Sequence, residues 1–246
     1  MSDVAGTLLE VIASSLEDGL AAEEGGAHRL EVVARLDQDG LTPARALIEQ
    51  LLNRVRLPLR VMVRPADVFT VVDGASRAAI VTDARLWAEL PIDGVVTGYV
   101  TADGQVDEEL LREVADASGH RVTFHRAIER VTTGDAVGAL RRCASVDRIL
   151  SGGGAGEWHD RIARLEVLQR AAAPLVVITG GGVGLDAVEL LAQSTILREL
   201  HVGRTVRIGG RIEGRVDAEA VRRVLAQIAR AGSVRLPPAP SAPLSR

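Results

Sequence analysis

Four polar residues each sit inside an apolar run: Glu10 in Leu8-Leu9-Glu10-Val11-Ile12, Glu31 in Arg29-Leu30-Glu31-Val32-Val33, His125 in Arg121-Val122-Thr123-Phe124-His125-Arg126-Ala127, and His201 in Glu199-Leu200-His201-Val202-Gly203. If the runs are strands, alternation turns Leu9, Val11, Leu30, Val32, Val122, Phe124, Leu200 and Val202 one way and the four polar groups the other. Burying an unpaired charge costs several kcal/mol. Such groups persist when they pair with each other, with a ligand or with an ion. Carboxylates beside an imidazole can do general acid–base work, with His125 as the acid or base and Glu10 or Glu31 orienting it. The same oxygen and nitrogen donors, Glu10, Glu31, His125 and His201, would also suit a divalent metal ion. Arg64 closes the run Leu59-Arg60-Val61-Met62-Val63-Arg64, and Arg126 follows His125; both could hold an anionic group. A structural network of ion pairs, with no cavity between them, is the alternative.

Two glycine triplets extend the pattern. Ser151 precedes Gly152-Gly153-Gly154, and Thr179 precedes Gly180-Gly181-Gly182. Glycines at a strand end let backbone N–H groups approach an anion. Ser151, Gly180, Gly181, Gly182, Gly203 and Arg204 thus form a second candidate anion site; the alternative is that the glycines only make tight turns. The stretch from Arg204 to Arg215 reads either as a mobile positively charged lid or as an ordinary loop.

Eight runs of this kind must position these residues. They start between residues 8 and 199, about 27 residues apart on average, and alternate with helical patterns. Such spacing signals parallel strands with crossover helices. Eight units in 246 residues predict a closed (β/α)8 TIM-type barrel, a single domain over residues 1–232. Helices are expected from Ser14 as cap, from Thr42-Pro43, over Ala75–Leu90, from Asp107, from Asp135, over Trp158–Ala172, over Leu185–Gln193 and from Asp217. Residues 233–246, rich in proline and serine, are expected to be a disordered tail.

Composition removes several classes of function. The net charge is −4 and every basic side chain is arginine, so lysine imine chemistry is excluded. Aromatics make up 2% and no basic block exists, which argues against nucleic acid and anionic membrane as partners. The single cysteine, Cys143, forms no disulfide within the chain and reads as a small buried side chain. There is no signal-peptide pattern, so a cytoplasmic location is expected.

The chain resembles the CutC family from about Leu8 to Gly232. The marks are Leu9-Glu10-Val11, Arg29-Leu30-Glu31, Gly40-Leu41-Thr42-Pro43, Val61-Met62-Val63-Arg64-Pro65, Asp93-Gly94-Val95-Val96, Val122-Thr123-Phe124-His125-Arg126-Ala127, Asp147-Arg148-Ile149-Leu150-Ser151, the glycines at 180–182 and Glu199-Leu200-His201. The resemblance implies a cytoplasmic, homo-oligomeric (β/α)8 barrel with a role in copper homeostasis; copper as a ligand rests on the resemblance alone. Family members commonly carry cysteines just after the first two strand glutamates, and here those positions are Ile12 and Val33. Soft Cu(I) prefers thiolate and thioether ligands, so these residues argue against a tight Cu(I) site. A small-molecule or metal ligand at the C-terminal mouth of the barrel is the expected partner.

Overall fold

The computed structural model describes residues 6–71 and 73–233. Its strands are β1 (Leu8–Ala13), β2 (Arg29–Val32), β3 (Leu59–Met62), β4 (Gly94–Thr97), β5 (Arg121–Phe124), β6 (Val146–Ser151), β7 (Val176–Thr179) and β8 (Glu199–Val202). They close into one barrel in chain order, and every neighbouring pair is parallel. Between and after them run α1 (Leu16–Gly25), α2 (Arg45–Arg54), α3 (Gly74–Arg85), α4 (Glu108–Ser118), α5 (Ala136–Arg142), α6 (Trp158–Ala172), α7 (Leu185–Leu191) and α8 (Ala218–Ser233). The expected (β/α)8 barrel is therefore the observed one. Ser233 closes α8, and the tail expected beyond it, residues 234–246, lies outside the described residues.

Alternation works as the sequence requires. Leu9, Val11, Leu30, Val32, Val61, Val122, Phe124, Leu200 and Val202 are all buried and pack with helix side chains in one cluster. Each such side chain contributes roughly 1.5–3 kcal/mol relative to exposure. The opposite faces fill the interior. A small apolar layer of Val33, Met62 and Val96, with Ile12 and Leu36 against it, lies below the mouth.

Deeper still is a chain of ions. Arg29 donates to Glu10 and to Glu199, each at 2.5 Å. Arg148 joins Glu199 at 2.9 Å and reaches Asp147. Arg60 then binds Asp147 through two nitrogens at 2.8 and 2.7 Å, and Asp93 at 2.6 Å. The structural network and the cavity thus coexist at different depths.

Several boundaries move for identifiable reasons. The cap of α1 is Ser15, whose hydroxyl accepts from the Asp18 N–H; Ser14 instead binds the Asp18 carboxylate. Thr42 does not open α2, because its backbone and hydroxyl bond to Arg64, and the helix starts at Arg45. The third helix stops at Arg85 rather than running to Leu90, and α7 stops at Leu191. Strand β5 ends at Phe124: His125 turns the chain, its Nδ1 accepting from the Ala127 N–H at 3.1 Å, and a 3-10 helix follows over Arg126–Arg130.

Candidate functional site

A cavity of about 560 Å³ opens where the strands end. Among its lining residues are Glu31, Met62, Leu150 and His201 from the strands, His125 and Phe69 on one wall, and Arg126, Arg130, Arg204 and Thr205 from the loops. Of the residues singled out in the sequence, Glu31, His125, His201, Arg126, Gly181, Gly182, Gly203 and Arg204 share this cavity. Glu10, Arg64, Ser151 and Gly180 are placed otherwise.

Cross-strand register sets the first group. Glu10 pairs with His201 across β1 and β8, and Ile12 with Glu31 across β1 and β2. His201 Nδ1 lies 2.7 Å from Glu10 Oε1, and its Nε2 lies 3.7 Å from Glu31 Oε2. The sequence reading aims Glu10 or Glu31 at His125; the structure gives both to His201. Glu10 is also held by Arg29, so both its oxygens are engaged. Burial pushes the Glu10 carboxyl up, but Arg29 and His201 outweigh it and hold it at about 2. Glu10 is thereby a fixed anion that positions His201, rather than a proton carrier.

Glu31 has no guanidinium hydrogen-bonded to it among the described residues, and Arg29 pulls on it only as a more distant charge. Burial dominates and raises it to about 7, with the Glu10 charge adding to the rise against the pull of His201. Burial alone would lower His201, but the carboxylates of Glu31 and Glu10 raise it above the ordinary range. One buried carboxyl that titrates near neutrality beside an imidazole is what proton transfer at neutral pH requires.

His125 stands apart. Burial and the Arg64 guanidinium hold it at about 3, so the ring is neutral. Since Nδ1 accepts from Ala127, the proton of the neutral ring sits on Nε2. That nitrogen is buried with no partner among the described residues. The ring packs edge-on against Phe69, with centroids 5.4 Å apart. Gly98 is required beside it, since a Cβ there would lie 2.8 Å from Nδ1.

A depressed histidine favours folding at high pH. Its contribution is complete above about 6.5 and is lost as pH falls toward 3. Urea unfolding of His125→Phe is therefore expected to lose less stability than the parent between pH 6.5 and 4. Parallel pH profiles would refute a buried neutral ring.

Arg64 is corrected by the structure. Its guanidinium donates to the carbonyls of Gln38, Gly40 and Val68 at 2.7, 2.9 and 3.3 Å, and pairs with Asp67. It braces two loops and has little left for an anion. Ser151 accepts from the Gly153 N–H, and the Gly180 N–H is spent on the Ser151 carbonyl. Gly180 has a steric reason instead: a Cβ there would lie 3.2 Å from His201 Cδ2.

The remaining anion candidates converge on the mouth. Arg126 pairs with Glu129 at 3.0 Å. The side chain of Arg204 has no hydrogen bond or ion pair among the described residues, and neither has the N–H of Gly181 or Gly182. Glu129 and Arg130, from the 3-10 helix after β5, also line the cavity and are given no role by the sequence, because that short segment has no periodicity; Thr205 and Ile212 line it from the Arg204–Arg215 stretch. The loop from Arg204 does overhang the mouth. It is tied down, however, by Arg207, which donates to Asp18 at 2.9 Å and to the Ile12 carbonyl at 3.0 Å.

As a metal centre the site fits poorly. Among the described residues no three His, Cys, Asp or Glu side chains are grouped to hold an ion. Arg29 and His201 occupy Glu10, and His125 lies outside the Glu10–His201–Glu31 group. Ile12 and Val33, which line the cavity, bring no thiolate.

A single (β/α)8 barrel with a buried carboxyl, two imidazoles and arginines lining the cavity at its mouth is the class these features define. The model of the CutC family matches residues 7–206, and the chain belongs to that family. A CutC family protein from Xanthomonas campestris pv. campestris (strain B100) is 34% identical over 197 residues, covering 78% of this chain and 81% of the relative. One from Mesorhizobium japonicum is 32% identical, covering 79% and 76%. The solved structure of a CutC protein from Streptococcus agalactiae, named for copper homeostasis, is 24% identical with a TM-score of 0.72, covering 84% of this chain and 99% of that one. No helix among the described residues is long and apolar enough to cross a membrane.

Proposed function

We propose that the mouth of this CutC-family barrel binds an anionic small molecule and exchanges a proton with it. One observation carries this reading. Glu31, a buried carboxyl that burial raises to about 7, lines the cavity together with Arg204, whose guanidinium has no partner among the described residues. Keeping a carboxyl in that state works against stability, and such groups concentrate where protons are moved.

The division of labour follows from the contacts. Arg204 and Arg126, with the N–H groups of Gly181 and Gly182, hold the anionic group. Glu31 takes and returns the proton. His201 shares that proton, its orientation fixed by Glu10 and, through Glu10, by Arg29. The family name points to copper, but the donor set of this chain does not fit a tight Cu(I) site, and no step is routed through a metal. The chemistry suits a cytoplasmic metabolite.

Calorimetric titration with a panel of sugar phosphates and short oxo- and hydroxycarboxylates tests this. At least one is expected to bind, and Arg204→Ala should weaken it about tenfold or more, since a hydrogen bond to a charged group contributes about 1.5–3 kcal/mol. If the parent binds none of them, or Arg204→Ala binds as well as the parent, the reading fails.

A further inference from the structure

We propose that the anion bound at the mouth carries an apolar body, a branched alkyl or aromatic group rather than a hydroxylated chain, and that Ile12, Val33, Leu36 and Met62 seat that body beside Arg204. This rests on the anion-binding reading above and deepens it by naming the class of molecule.

Strand alternation places the seat. Ile12 lies two positions past Glu10 in β1, and Val33 two positions past Glu31, just after β2. Each therefore turns to the same side as its glutamate, one step nearer the mouth. Met62 closes β3. Val33 and Met62 pack with Val96 in a cluster separate from the one under the helices, and Ile12 and Leu36 lie against it. A Cβ on Gly40 would lie 3.0 Å from Val33 Cγ1 and 3.3 Å from Met62 Cε, so these two side chains meet around one glycine. Ile12, Val33, Leu36 and Met62 all line the cavity, and Phe69 joins them from the loop after β3.

Two features set this patch apart from ordinary core. Ile12 and Leu36 are only half-buried although both pack on buried side chains. Apolar surface left uncovered in a concave site favours a ligand that removes it from water. The patch also adjoins the candidate anion clamp. A Cβ on Gly203 would lie 2.8 Å from Ile12 Cδ1, and Gly203 immediately precedes Arg204. An anionic group on Arg204 and an apolar body on Ile12 are thus neighbours.

The rest of the lining argues against a polyol. Among the described residues that line the cavity there is no Ser, Asn, Gln or Tyr. The Thr205 hydroxyl donates to the Val183 carbonyl, and His201 is engaged by Glu10. Most of the other polar side chains are charged, which suits an anion better than a row of hydroxyls. Hydroxyls laid on the patch would give up water and gain no partner. Size points the same way: about 560 Å³ falls in the range of about 300–1,000 Å³ that buries drug-sized ligands, more than a two-carbon acid fills.

Calorimetric titration tests two pairs matched in charge and carbon number, phenyl phosphate against glucose 6-phosphate and 4-methylpentanoate against gluconate. The apolar member of at least one pair is expected to bind the parent about 30-fold tighter or more, since one methylene in an apolar pocket already discriminates by roughly 10–200-fold. In the double variant Ile12→Thr/Val33→Thr, which keeps the branching at Cβ and puts hydroxyls on the patch, that preference should fall below about fivefold. Melting curves check the fold. Benzyl alcohol, an aromatic body without the charge, is expected to bind at least about tenfold more weakly than phenyl phosphate. If the polar member of each pair binds as tightly as its apolar counterpart, the apolar seat is overturned and the anion reading stands. If benzyl alcohol binds as tightly as phenyl phosphate, or if no anion binds, the anion reading fails and takes this one with it. A folded double variant that keeps the parent's preference overturns the assignment to Ile12 and Val33. Should the variant not fold, the parent's preference within the pairs decides alone.

Discussion

Arg29→Met is expected to destabilise the protein by about 3–5 kcal/mol, the usual result of removing one partner from a buried ion pair. For a chain of this size that lowers the melting temperature by roughly 6–20 °C. Arg29 is 2% exposed and holds Glu10 and Glu199 at 2.5 Å each. Methionine fills the space of the stem but leaves two acids facing each other in the barrel interior. Glu199 keeps Arg148, and Glu10 keeps His201, so neither is wholly abandoned. Adding Glu199→Gln should recover part of the loss, because the residues are in contact and their effects do not add. Arg35→Met is the control: Arg35 and Asp37 are more than half exposed, and their pair should leave the melting temperature unchanged. Thermal and urea unfolding decide the matter. An Arg29→Met protein that melts with the parent would show the interior chain of ions to be dispensable.

This chain of ions marks the limit of what the sequence discloses. Period-2 alternation exposes Glu10, Glu31, His125 and His201 as inward groups, because each is flanked by residues that must face the helices. Which of them meet is another matter. Glu10 and His201 are 191 positions apart, and only the closure of β1 on β8 makes them cross-strand neighbours. The same closure joins Arg29 to Glu199, 170 positions away. Within the strands, pattern is informative; across the barrel, register decides, and register is not written in a single strand.

The loops show the second kind of limit. Arg64 looks like an anion ligand from its place at the end of an apolar run. Its fate depends on the carbonyls that the turns at Gln38 and Gly40 happen to present. Arg204 lies in a stretch just as irregular, yet its guanidinium lines the cavity and has no partner among the described residues. No property of either arginine's neighbours in sequence separates the two. That His125 stands at the mouth of the barrel is legible in the sequence, but its neutral state is not, since that follows from burial and from the Arg64 guanidinium.

Glu31→Gln should do two opposite things. A carboxyl raised from 4.5 to about 7 in the fold favours the folded state at low pH, and that benefit is complete below 4.5 and lost as pH rises through 7. Above 7 the parent therefore carries a buried charge that it would hold more easily unfolded. The shift corresponds to about 3 kcal/mol at 1.36 kcal/mol per unit. Glutamine keeps the shape and removes the charge. His201 loses an attractive neighbour in the exchange, so the net gain at pH 8 is expected to be about 1–3 kcal/mol, with none at pH 4. Urea titrations at the two pH values measure it. Proton exchange at the bound ligand should meanwhile fall by about 10²-fold or more, the usual loss when a positioned base is removed. A residue kept for packing would behave in the opposite sense, with Glu31→Gln less stable at pH 8 and ligand chemistry untouched. Gain of stability together with loss of proton transfer is the signature of a group retained for function, because only selection on the reaction offsets what the fold gives up to hold it.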